Sequence, residues 1–369
     1  MSTIYDVAAR AGLSISTVSR VLNGNVPVSE ASRKKVMEAI EALNFQPSMV
    51  GQTLSRRESR SILAVFPLQV RQNLSDYLYG INRVLSVAGY DLLISFTDES
   101  IMFQDAESPF SHKAGSEPQK DHSFDYEKYL SRGLVGGCIY LSTIRHTPDN
   151  KLDFGKIPTV FVSEYLNAPY DYCVVSDIEQ SVYELTSRLI ARGRRRFAYI
   201  HACYPGSGVP VIYSEARFQG MLHALNDHGI PYHEELTRYS SMHNFAENAP
   251  DPGYLNALPC ASSYLQLPRD QWPDVIICAY DSFALACSHV LHEARIKVPG
   301  EIAIVGFDNS AATTYASPQL TSVQSPCSEF GYEAAKLLVR IMQGEVTTPQ
   351  QIQVTAKIIE RGSTLEGVD

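Results

Sequence analysis

Apolar residues near the start of the chain recur at the spacing of one helix face. The first four lie at positions i, i+3, i+4 and i+7: Ile4, Val7, Ala8 and Ala11. This spacing predicts a short amphipathic helix, because side chains three and four residues apart share one side of a helix. Gly12 interrupts the pattern, and Ser14 is a suitable N-cap residue for a second helix.

Two further helices follow with the same kind of pattern. The apolar face of the second helix contains three residues: Val18, Val21 and Leu22. Its opposite face contains four: Ile15, Ser16, Ser19 and Arg20. Ser29 is placed to cap a third helix, and that helix has four inward positions: Val36, Ala39, Ile40 and Leu43. We therefore predict that residues 1–46, the head, fold as a three-helix domain.

Residues 47–60 are predicted to form a hinge and linker. A helix could begin at Pro47 and Ser48, but only about eight residues precede the charged run Arg56–Arg60. A helix this short is marginal in water, and Gly51 in its middle costs about 1 kcal/mol relative to Ala. The segment is therefore expected to fold only when another molecule holds it.

From residue 61 the pattern changes to short apolar runs that alternate with amphipathic stretches. Eight runs are typical of buried parallel strands: SILAVF, YDLLISF, GGCIYL, PTVFV, YCVVS, RFAYIH, DVIICA and EIAIVGF. Repeated strand–helix units predict open α/β sheets, and residues 61–369, the core, are long enough for two lobes with a crevice between them. Residues 100–123 lack periodicity and are expected to be a mobile surface insertion, with a partner-docking loop as the alternative.

The net charge of −9 is unevenly distributed along the chain. Residues 1–60 contain eight Lys and Arg against five Asp and Glu, whereas the remaining residues carry a net charge of −12. An acidic core is repelled by DNA and a basic segment is attracted to it, so the start of the chain is the expected DNA-binding part.

Composition and motifs exclude several classes of protein. The chain is 44% hydrophobic and 19% charged, as globular proteins are, and its seven cysteines form no CxxC pair, so we expect buried structural thiols. No apolar stretch approaches the length of a membrane span, and the N-terminus lacks a secretory pattern. P-loop, GxGxxG and HExxH motifs are absent from the sequence. We expect a cytoplasmic protein that is not an enzyme and has no cofactor, metal or membrane partner.

The head follows the plan of a helix-turn-helix domain. In that motif the second helix lies in the DNA major groove with its N-terminal residues at the base edges. Small polar residues and Arg20 on the exposed face suit bases and phosphates, because an Arg can bind a guanine through two hydrogen bonds. On pattern alone, a helical hairpin that serves only packing or dimerisation remains an alternative.

These residues resemble the lactose/galactose repressor (LacI/GalR) family of bacterial transcriptional regulators. The resemblance begins with IYDVAARAGLSISTVSRVLNG at residues 4–24. It continues through LIARGRRRFAYI, EARFQGMLHAL, IKVPGEIAIVGFDNS, PQLTSVQSP and the final RGST. It covers nearly the whole chain except the 100–123 insertion.

The resemblance implies a set of DNA-binding residues. Ile15 and Ser16 would determine specificity, and Arg20 would read a base in each half-site. Residues 48–55 would form the family's hinge helix on operator DNA, where Leu54 enters the minor groove and bends the duplex. The remaining implied contacts, mostly to phosphates, are Tyr5, Ser14, Thr17, Ser19, Asn23, Ser29, Arg33 and Gln52.

The core resembles the family's effector-binding core, which is related to periplasmic sugar-binding proteins. The resemblance implies a first lobe at about 61–170 and 325–348, and a second lobe at about 171–324 and 349–369. The implied effector-binding residues are Leu68, Asn73, Ser163, Arg217, Tyr280, Asp281 and Asp308. Tyr280 stands where the family usually has Asn, and Ser163 where it usually has Asp. These departures reduce the set of hydroxyl-binding residues and add an aromatic ring. A sugar or glycoside remains the expected effector, although Tyr280 could instead stack on a nucleobase or another flat ligand.

The expected function is that of a sequence-specific DNA-binding regulator, most simply a repressor of carbohydrate-use genes. It would act as a homodimer on a pseudo-palindromic operator, with affinity controlled by an effector bound between the lobes. One alternative is a corepressor-dependent or global regulator that responds to a nucleobase or a phosphoprotein. The other is a sugar-binding protein without DNA function.

Overall fold

A computed structural model describes most of the chain. The described residues are 3–23, 28–45, 59–67, 73–97, 126–131, 133–142, 148, 151–163, 166, 168–203, 210–241 and 251–365. Several expectations fall outside these ranges: the hinge helix at 48–55 with Gln52 and Leu54, the effector residue Leu68, and the insertion at 100–123.

The head contains three helices, as predicted: α1 (Ile4–Ala11), α2 (Ile15–Asn23) and α3 (Glu30–Leu43). Thr3 and Asp6 begin α1 through reciprocal hydrogen bonds of a capping box, and these bonds hold the pKa of Asp6 below its usual value. Gly12 ends α1 with a φ of +65°, a left-handed conformation that favours glycine.

The inward faces of the three helices form one small apolar core. Its buried members are Val7, Ala8, Ala11, Val18, Val36 and Ala39. Partly buried residues packed against them include Ile4, Val21, Leu22, Ile40 and Leu43. Every position that periodicity assigned to an inner face contacts this core, which confirms the three-helix interpretation.

The rest of the chain forms two six-stranded sheets. The first contains β1 (Ser61–Pro67), β2 (Asp91–Thr97), β3 (Gly137–Ser142), β4 (Thr159–Ser163), β5 (Tyr172–Ser176) and β11 (Gln350–Val354). The second contains β6 (Phe197–Cys203), β7 (Thr237–Ser241), β8 (Val275–Cys278), β9 (Ala303–Phe307), β10 (Thr321–Gln324) and β12 (Lys357–Ile359). The strand orders are β11-β5-β4-β3-β1-β2 and β12-β10-β9-β8-β6-β7. All pairs are parallel except β10 with β12, so the expected two-lobed parallel α/β core is confirmed.

Helices pack on both sheets. They are α4 (Leu74–Ala88), α5 (Tyr126–Ser131), α6 (Ile178–Ala191), α7 (Ile212–Asp227), α8 (Pro252–Tyr264), α9 (Asp281–Glu293), α10 (Ala312–Tyr315) and α11 (Cys327–Met342), with short 3₁₀ helices at Glu234–Leu236 and Arg269–Gln271. Gly331 lets α11 approach α4 closely, since a Cβ atom there would lie 2.3 Å from the Tyr77 carbonyl oxygen. None of the helices in the described ranges has the length and apolarity to cross a membrane.

The chain passes between the lobes at different positions from those expected. Strand β5 pairs with β4, and β11 pairs with β5, so both belong to the first lobe. The boundaries at about 170 and 348 were therefore wrong for Tyr172–Ser176 and Gln350–Val354. The crossings instead follow β5 at Asp177, β10 at Ser325 and β11 at Thr355. For β11 this was decided by pairing with a strand far away in sequence, and periodicity carries no information about which strands pair.

Four strands lack a predicted counterpart: β7, β10, β11 and β12. Strand β10 lies inside the second sheet, yet it begins with the polar pair Thr321 and Ser322. Both residues are buried, and their hydroxyl groups form hydrogen bonds within the lobe. Such a strand lacks the apolar run that identified the other interior strands.

Candidate functional site

The N-terminus of α2 is ordered by a cluster of hydroxyl groups. The Ser14 hydroxyl accepts a hydrogen bond from the Thr17 backbone N–H at 3.2 Å. It also lies 2.8 Å from the Ser16 and Thr17 hydroxyls. Ser14 therefore caps α2 and holds the first turn in place, which is where a recognition helix meets base edges.

The outer face of α2 presents the side chains that the sequence placed there. Ser16 and Arg20 are exposed, while Thr17 and Ser19 are half-buried. Ile15 is 42% exposed although it is apolar, and Tyr5 on α1 is 68% exposed. Exposed apolar groups beside hydroxyls and an Arg form a surface suited to a DNA groove, where Ile can contact a thymine methyl group.

Ser29 and Arg33 lie at the start of α3. The Ser29 hydroxyl accepts a hydrogen bond from the Ser32 backbone N–H at 3.3 Å and therefore caps this helix. Arg33 is exposed one turn later. The capping bond gives Ser29 a structural role beside any contact with DNA.

The second candidate site lies at the carboxyl edge of the second sheet. Tyr280 and Asp281 stand where α9 begins after β8, and Asp308 directly follows β9. Arg217 lies in the second turn of α7. Parallel strands end at one edge of a sheet, so these four predicted residues meet there.

Arg217 occupies the centre of this cluster. The residue is only 2% exposed, and its Nη1 donates a hydrogen bond to the Ala279 carbonyl oxygen at 2.6 Å. Its Nη2 lies 4.0 Å from Asp308 Oδ1, which makes a buried ion pair. The guanidinium carbon lies 4.2 Å from the centre of the Phe307 ring, a cation–π contact.

Asp281 is buried, and both oxygens of its carboxylate are engaged within the protein. Oδ1 accepts a hydrogen bond from the Ser322 hydroxyl at 2.7 Å, and Oδ2 accepts one from the Ser310 backbone N–H at 2.6 Å. Burial, followed by the nearby charge of Asp308, raises the pKa of Asp281 to about 7. Through these bonds Asp281 links α9 to the loop after β9, and its assignment as an effector contact stays a prediction.

That loop has an unusual backbone at two successive residues. Asp308 has a φ of +92° and Asn309 a φ of +51°, which non-glycine residues rarely adopt. The Asp308 N–H donates to the Val323 carbonyl oxygen at 2.9 Å, and Arg361 Nη2 donates to Asn309 Oδ1 at 2.6 Å. These bonds hold the Asp308 carboxylate at the sheet edge against the strain of the loop.

Tyr213 is a site residue that the sequence reasoning missed. It lies in the first turn of α7, four residues before Arg217, and its hydroxyl is hydrogen-bonded to that of Tyr280. The two ring centres are 5.9 Å apart in an edge-to-face arrangement. Burial raises the pKa of Tyr280 well above its usual value. The spacing of four residues on one helix was the available signal for Tyr213.

The carboxyl edge of the first sheet carries hydroxyl groups. Thr97, Ser142, Ser163 and Ser176 end four of its strands, and all four are buried. Ser142 and Ser163 are register partners on β3 and β4. Asn73 is partly buried at the N-cap position of α4. Ser163 and Asn73 thus lie at the edge where the sequence placed them.

The cysteines and potential metal ligands form no further site in the described part of the chain. All seven thiols are free, and six are buried, as expected for structural cysteines. Burial raises the pKa of the Cys203 thiol to about 12, so it stays protonated. Within the described ranges, no group of three or more His, Cys, Asp or Glu is arranged to hold a metal ion.

A helix-turn-helix head followed by a two-lobed α/β core, with polar residues at the strand ends, defines a DNA-binding transcriptional regulator. Comparison with known proteins gives the same result. Residues 3–48 match the family model of bacterial regulatory proteins of the lacI family, and residues 186–364 match that of the periplasmic binding protein-like domain. The chain is therefore a transcriptional regulator with a lacI-family DNA-binding domain and a periplasmic-binding-protein-like core.

Full-length relatives and solved structures agree with this assignment. The chain is 26% identical to catabolite control protein A of Priestia megaterium over 367 residues, covering 98% of this chain and 99% of that protein. It is 27% identical to the protein in the structure of a transcriptional regulator CelR–cellobiose complex, with a TM-score of 0.63 and coverage of 98% and 100%. The lac repressor dimer bound to operator and the anti-inducer ONPF is 20% identical, with a TM-score of 0.76 and 99% coverage of both chains.

Proposed function

We propose that this regulator is a repressor of carbohydrate-use genes whose operator affinity changes when a small sugar-like effector binds between the two lobes. The cluster of Arg217, Asp308 and Tyr280 at the second sheet edge carries this proposal. Charged and hydroxyl groups beside aromatic faces suit a sugar, which presents hydroxyl groups around a ring with apolar C–H faces. The structure of the transcriptional regulator CelR–cellobiose complex, whose protein is 27% identical to this chain, supports the same ligand class.

We infer that two copies bind a pseudo-palindromic operator as a homodimer, and that the protein works in the cytoplasm, where the DNA is. A two-fold dimer presents two recognition helices to two half-sites. A lac repressor dimer bound to operator has a similar fold, which supports this arrangement. An effector that prefers one arrangement of the lobes then changes DNA affinity by linkage.

In the head, we propose that Ile15, Ser16 and Arg20 read base edges. The exposure of these residues at the capped start of α2 supports this role. The surrounding residues would contact phosphates and set the register of the head on the duplex. They are Tyr5, Thr17, Ser19, Asn23, Ser29 and Arg33.

Fluorescence anisotropy of the full chain on the DNA upstream of its own gene tests this function at fixed salt concentration. We expect Arg20→Ala to weaken specific binding at least about 10-fold, because a base-reading Arg contributes about 1–3 kcal/mol. Arg83→Ala on α4 is the control for loss of one exposed positive charge, and it should bind as the parent does. Neutral sugars, sugar phosphates and nucleobases are then added to the protein–DNA complex.

Release of DNA by a neutral sugar would support an inducible repressor. Binding that requires an added compound or protein would replace this proposal with corepressor-dependent regulation. If the parent protein binds its own upstream DNA no better than unrelated DNA, that DNA does not contain the operator, and distant promoters become the targets to test.

A further inference from the structure

A groove of about 370 Å³ lies where the chain crosses between the lobes. One wall is the first part of α6, which follows the crossing at Asp177. The other wall runs from the end of β11 to β12 and contains the crossing at Thr355. A cavity of this volume is within the range of small-molecule sites. Its lining shares no described residue with the effector site proposed above, so the groove is a cavity that the proposed function does not use.

The α6 wall of the groove carries a stripe of polar side chains. Gln180, Glu184 and Arg188 are spaced four residues apart and therefore lie along one side of the helix. Asp177 precedes them at the N-cap position. From Asp177 to Arg188 the stripe extends for about 16 Å, at 1.5 Å per residue. A ligand that lies along it meets a carboxylate at one end and a guanidinium at the other.

The guanidinium of Arg188 has donors left for a ligand. Its Nη2 lies 3.9 Å from Glu184 Oε2 and its Nη1 lies 3.6 Å from Glu360 Oε2, distances too long for hydrogen bonds. Glu360 instead accepts a hydrogen bond from Arg192 Nη1 at 2.6 Å. A half-exposed guanidinium in this position can bind a ligand carboxylate through two parallel hydrogen bonds.

Asp177 has one carboxylate oxygen available at the other end of the groove. Its Oδ1 accepts a hydrogen bond from the Gln180 backbone N–H at 2.9 Å and caps α6. Its Oδ2 forms no hydrogen bond with another residue of the described ranges. The residue is half-buried, so its negative charge is less screened by water than that of a fully exposed carboxylate. It can therefore attract a ligand ammonium group.

The opposite wall offers backbone groups between these two charges. Strand β11 ends at Val354 and β12 begins at Lys357, so Thr355 belongs to neither strand. Thr355 is exposed and forms no backbone hydrogen bond with any other residue that the structure describes. An extended ligand backbone can pair with such N–H and C=O groups, as an added strand does at the edge of a sheet.

We propose that this groove is a second binding site, and that it takes a short linear peptide of about three to five extended residues. The peptide lies with its amino end towards Asp177 and its carboxyl end towards Arg188. The two end charges match the ammonium and carboxylate groups of the peptide, and the backbone of Thr355 matches its amide groups. A neutral sugar or a simple anion satisfies only part of this arrangement. The inference goes beyond the proposed function and does not depend on it.

Isothermal titration calorimetry on the full chain tests the site with trialanine and two blocked forms of this peptide. N-acetyl-trialanine lacks the ammonium group, and trialanine amide lacks the carboxylate. Trialanine should bind as a single molecule per chain. Each blocked form should bind about 5-fold more weakly, because each loses one charged hydrogen-bonding group.

Two substitutions assign the ends of the peptide. Arg188→Gln should weaken trialanine about 5-fold but trialanine amide less than about 2-fold, because the amide lacks the group that Arg188 binds. Asp177→Asn keeps the helix cap, since Asn caps as well as Asp does. It should weaken trialanine about 5-fold and N-acetyl-trialanine less than about 2-fold.

Arg340→Gln on α11 is the matched control. Arg340 is 42% exposed and lies 3.6 Å from Glu345, a geometry similar to that of Arg188, but it lies outside the groove. This variant should bind all three peptides as the parent does.

Three results would overturn the proposal: no saturable binding of trialanine by the parent, equal binding of the blocked forms, or an equal loss for every form in both groove variants. Binding of spermidine without binding of trialanine would also overturn it, because the groove would then be a site for cations. Each of these results leaves the proposed function intact, since neither the head nor the edge of the second sheet is changed in the test.

Discussion

The two lobes share one strand order but differ in what they place at their strand ends. From one edge, the first sheet runs β2-β1-β3-β4-β5-β11 and the second runs β7-β6-β8-β9-β10-β12. In the first lobe the strand ends are small hydroxyl residues such as Ser142 and Ser163. In the second, the same edge carries the ion pair of Arg217 with Asp308 and the buried Asp281.

The difference extends into the interior of the sheets. Strand β5 of the first sheet is a largely apolar run, YCVVS, whereas β10 at the corresponding place in the second sheet is TSVQ. The buried hydroxyls of β10 are retained because Asp281 and the segment around Arg361 satisfy them. The two lobes therefore share a fold but not a site. The stability of the second lobe depends more strongly on a network of buried, hydrogen-bonded polar groups.

The largest expected effect is that of Arg217→Met on stability. It leaves Asp308 without its buried ion-pair partner, so the free energy of unfolding should fall by about 3 kcal/mol. Urea denaturation followed by circular dichroism measures this change. Arg188→Met is the control, since Arg188 is half-exposed in its ion pairs with Glu184 and Glu360. This substitution should lower the free energy of unfolding by less than about 1 kcal/mol. Equal losses in the two variants would contradict the buried-pair interpretation.

A second comparison adds one methyl group to a strand of each lobe. A Cβ at Gly306 on β9 would lie 2.3 Å from Asp281 Oδ1, so Gly306→Ala should destabilise the protein by about 2–3 kcal/mol. At Gly137 on β3, a Cβ atom would contact only the ends of the Leu338 and Met342 side chains, at 3.0 Å or more. Gly137→Ala should therefore destabilise the protein by only about 1 kcal/mol. Thermal unfolding of both variants measures the difference. If Gly137→Ala lost more stability than Gly306→Ala, the expectation that the second lobe tolerates the added methyl group less well would be wrong.

The third prediction uses the raised pKa of Asp281, about 7 in the folded protein against 3.8 as the reference value. As the pH rises from about 4 to about 7, the unfolded chain loses this proton while the folded lobe retains it. The contribution of Asp281 to stability therefore declines over that window and is constant above it. Between about pH 5 and about pH 8, the free energy of unfolding of the parent should fall by about 2 kcal/mol relative to that of Asp281→Asn.

Urea denaturation of both proteins at each pH gives this difference directly, because the other titrating groups are common to both. If the free energies of unfolding of the two proteins change with pH in parallel, Asp281 is ionised throughout the range. Its hydrogen bonds would then lower its pKa more than its burial raises it. Ser322→Ala in the same assay removes one of those bonds and should raise the pKa of Asp281 further.

The smallest expected effect lies in the first lobe. Ser163→Ala removes one buried hydroxyl at the end of β4, and stability should change by less than about 1 kcal/mol. If Ser163 contacts the effector, as the family resemblance implies, affinity for the best neutral sugar should fall about 3-fold by calorimetry. A loss above about 10-fold would place a large part of the recognition in the first lobe.

Much of the head was predictable from residue spacing alone. The three apolar faces, the Gly12 break and the caps at Ser14 and Ser29 all depend on residues within a few positions of each other. Most interior strands were equally visible as short apolar runs. The site was predicted in part, because the family resemblance marked Arg217, Tyr280 and Asp308, and the structure brings these three residues together.

The sequence by itself determined the local elements and the residue types at the strand ends, because helix and strand periodicities act between near neighbours. Only the tertiary structure decided which lobe β5 and β11 join, and which polar groups satisfy each other. Asp281 and Ser322 are 41 residues apart, and Arg217 and Ala279 are 62 apart, yet each pair forms a hydrogen bond. Such contacts arise only when packed elements bring distant residues together, so Tyr213 becomes a site residue only in the folded lobe.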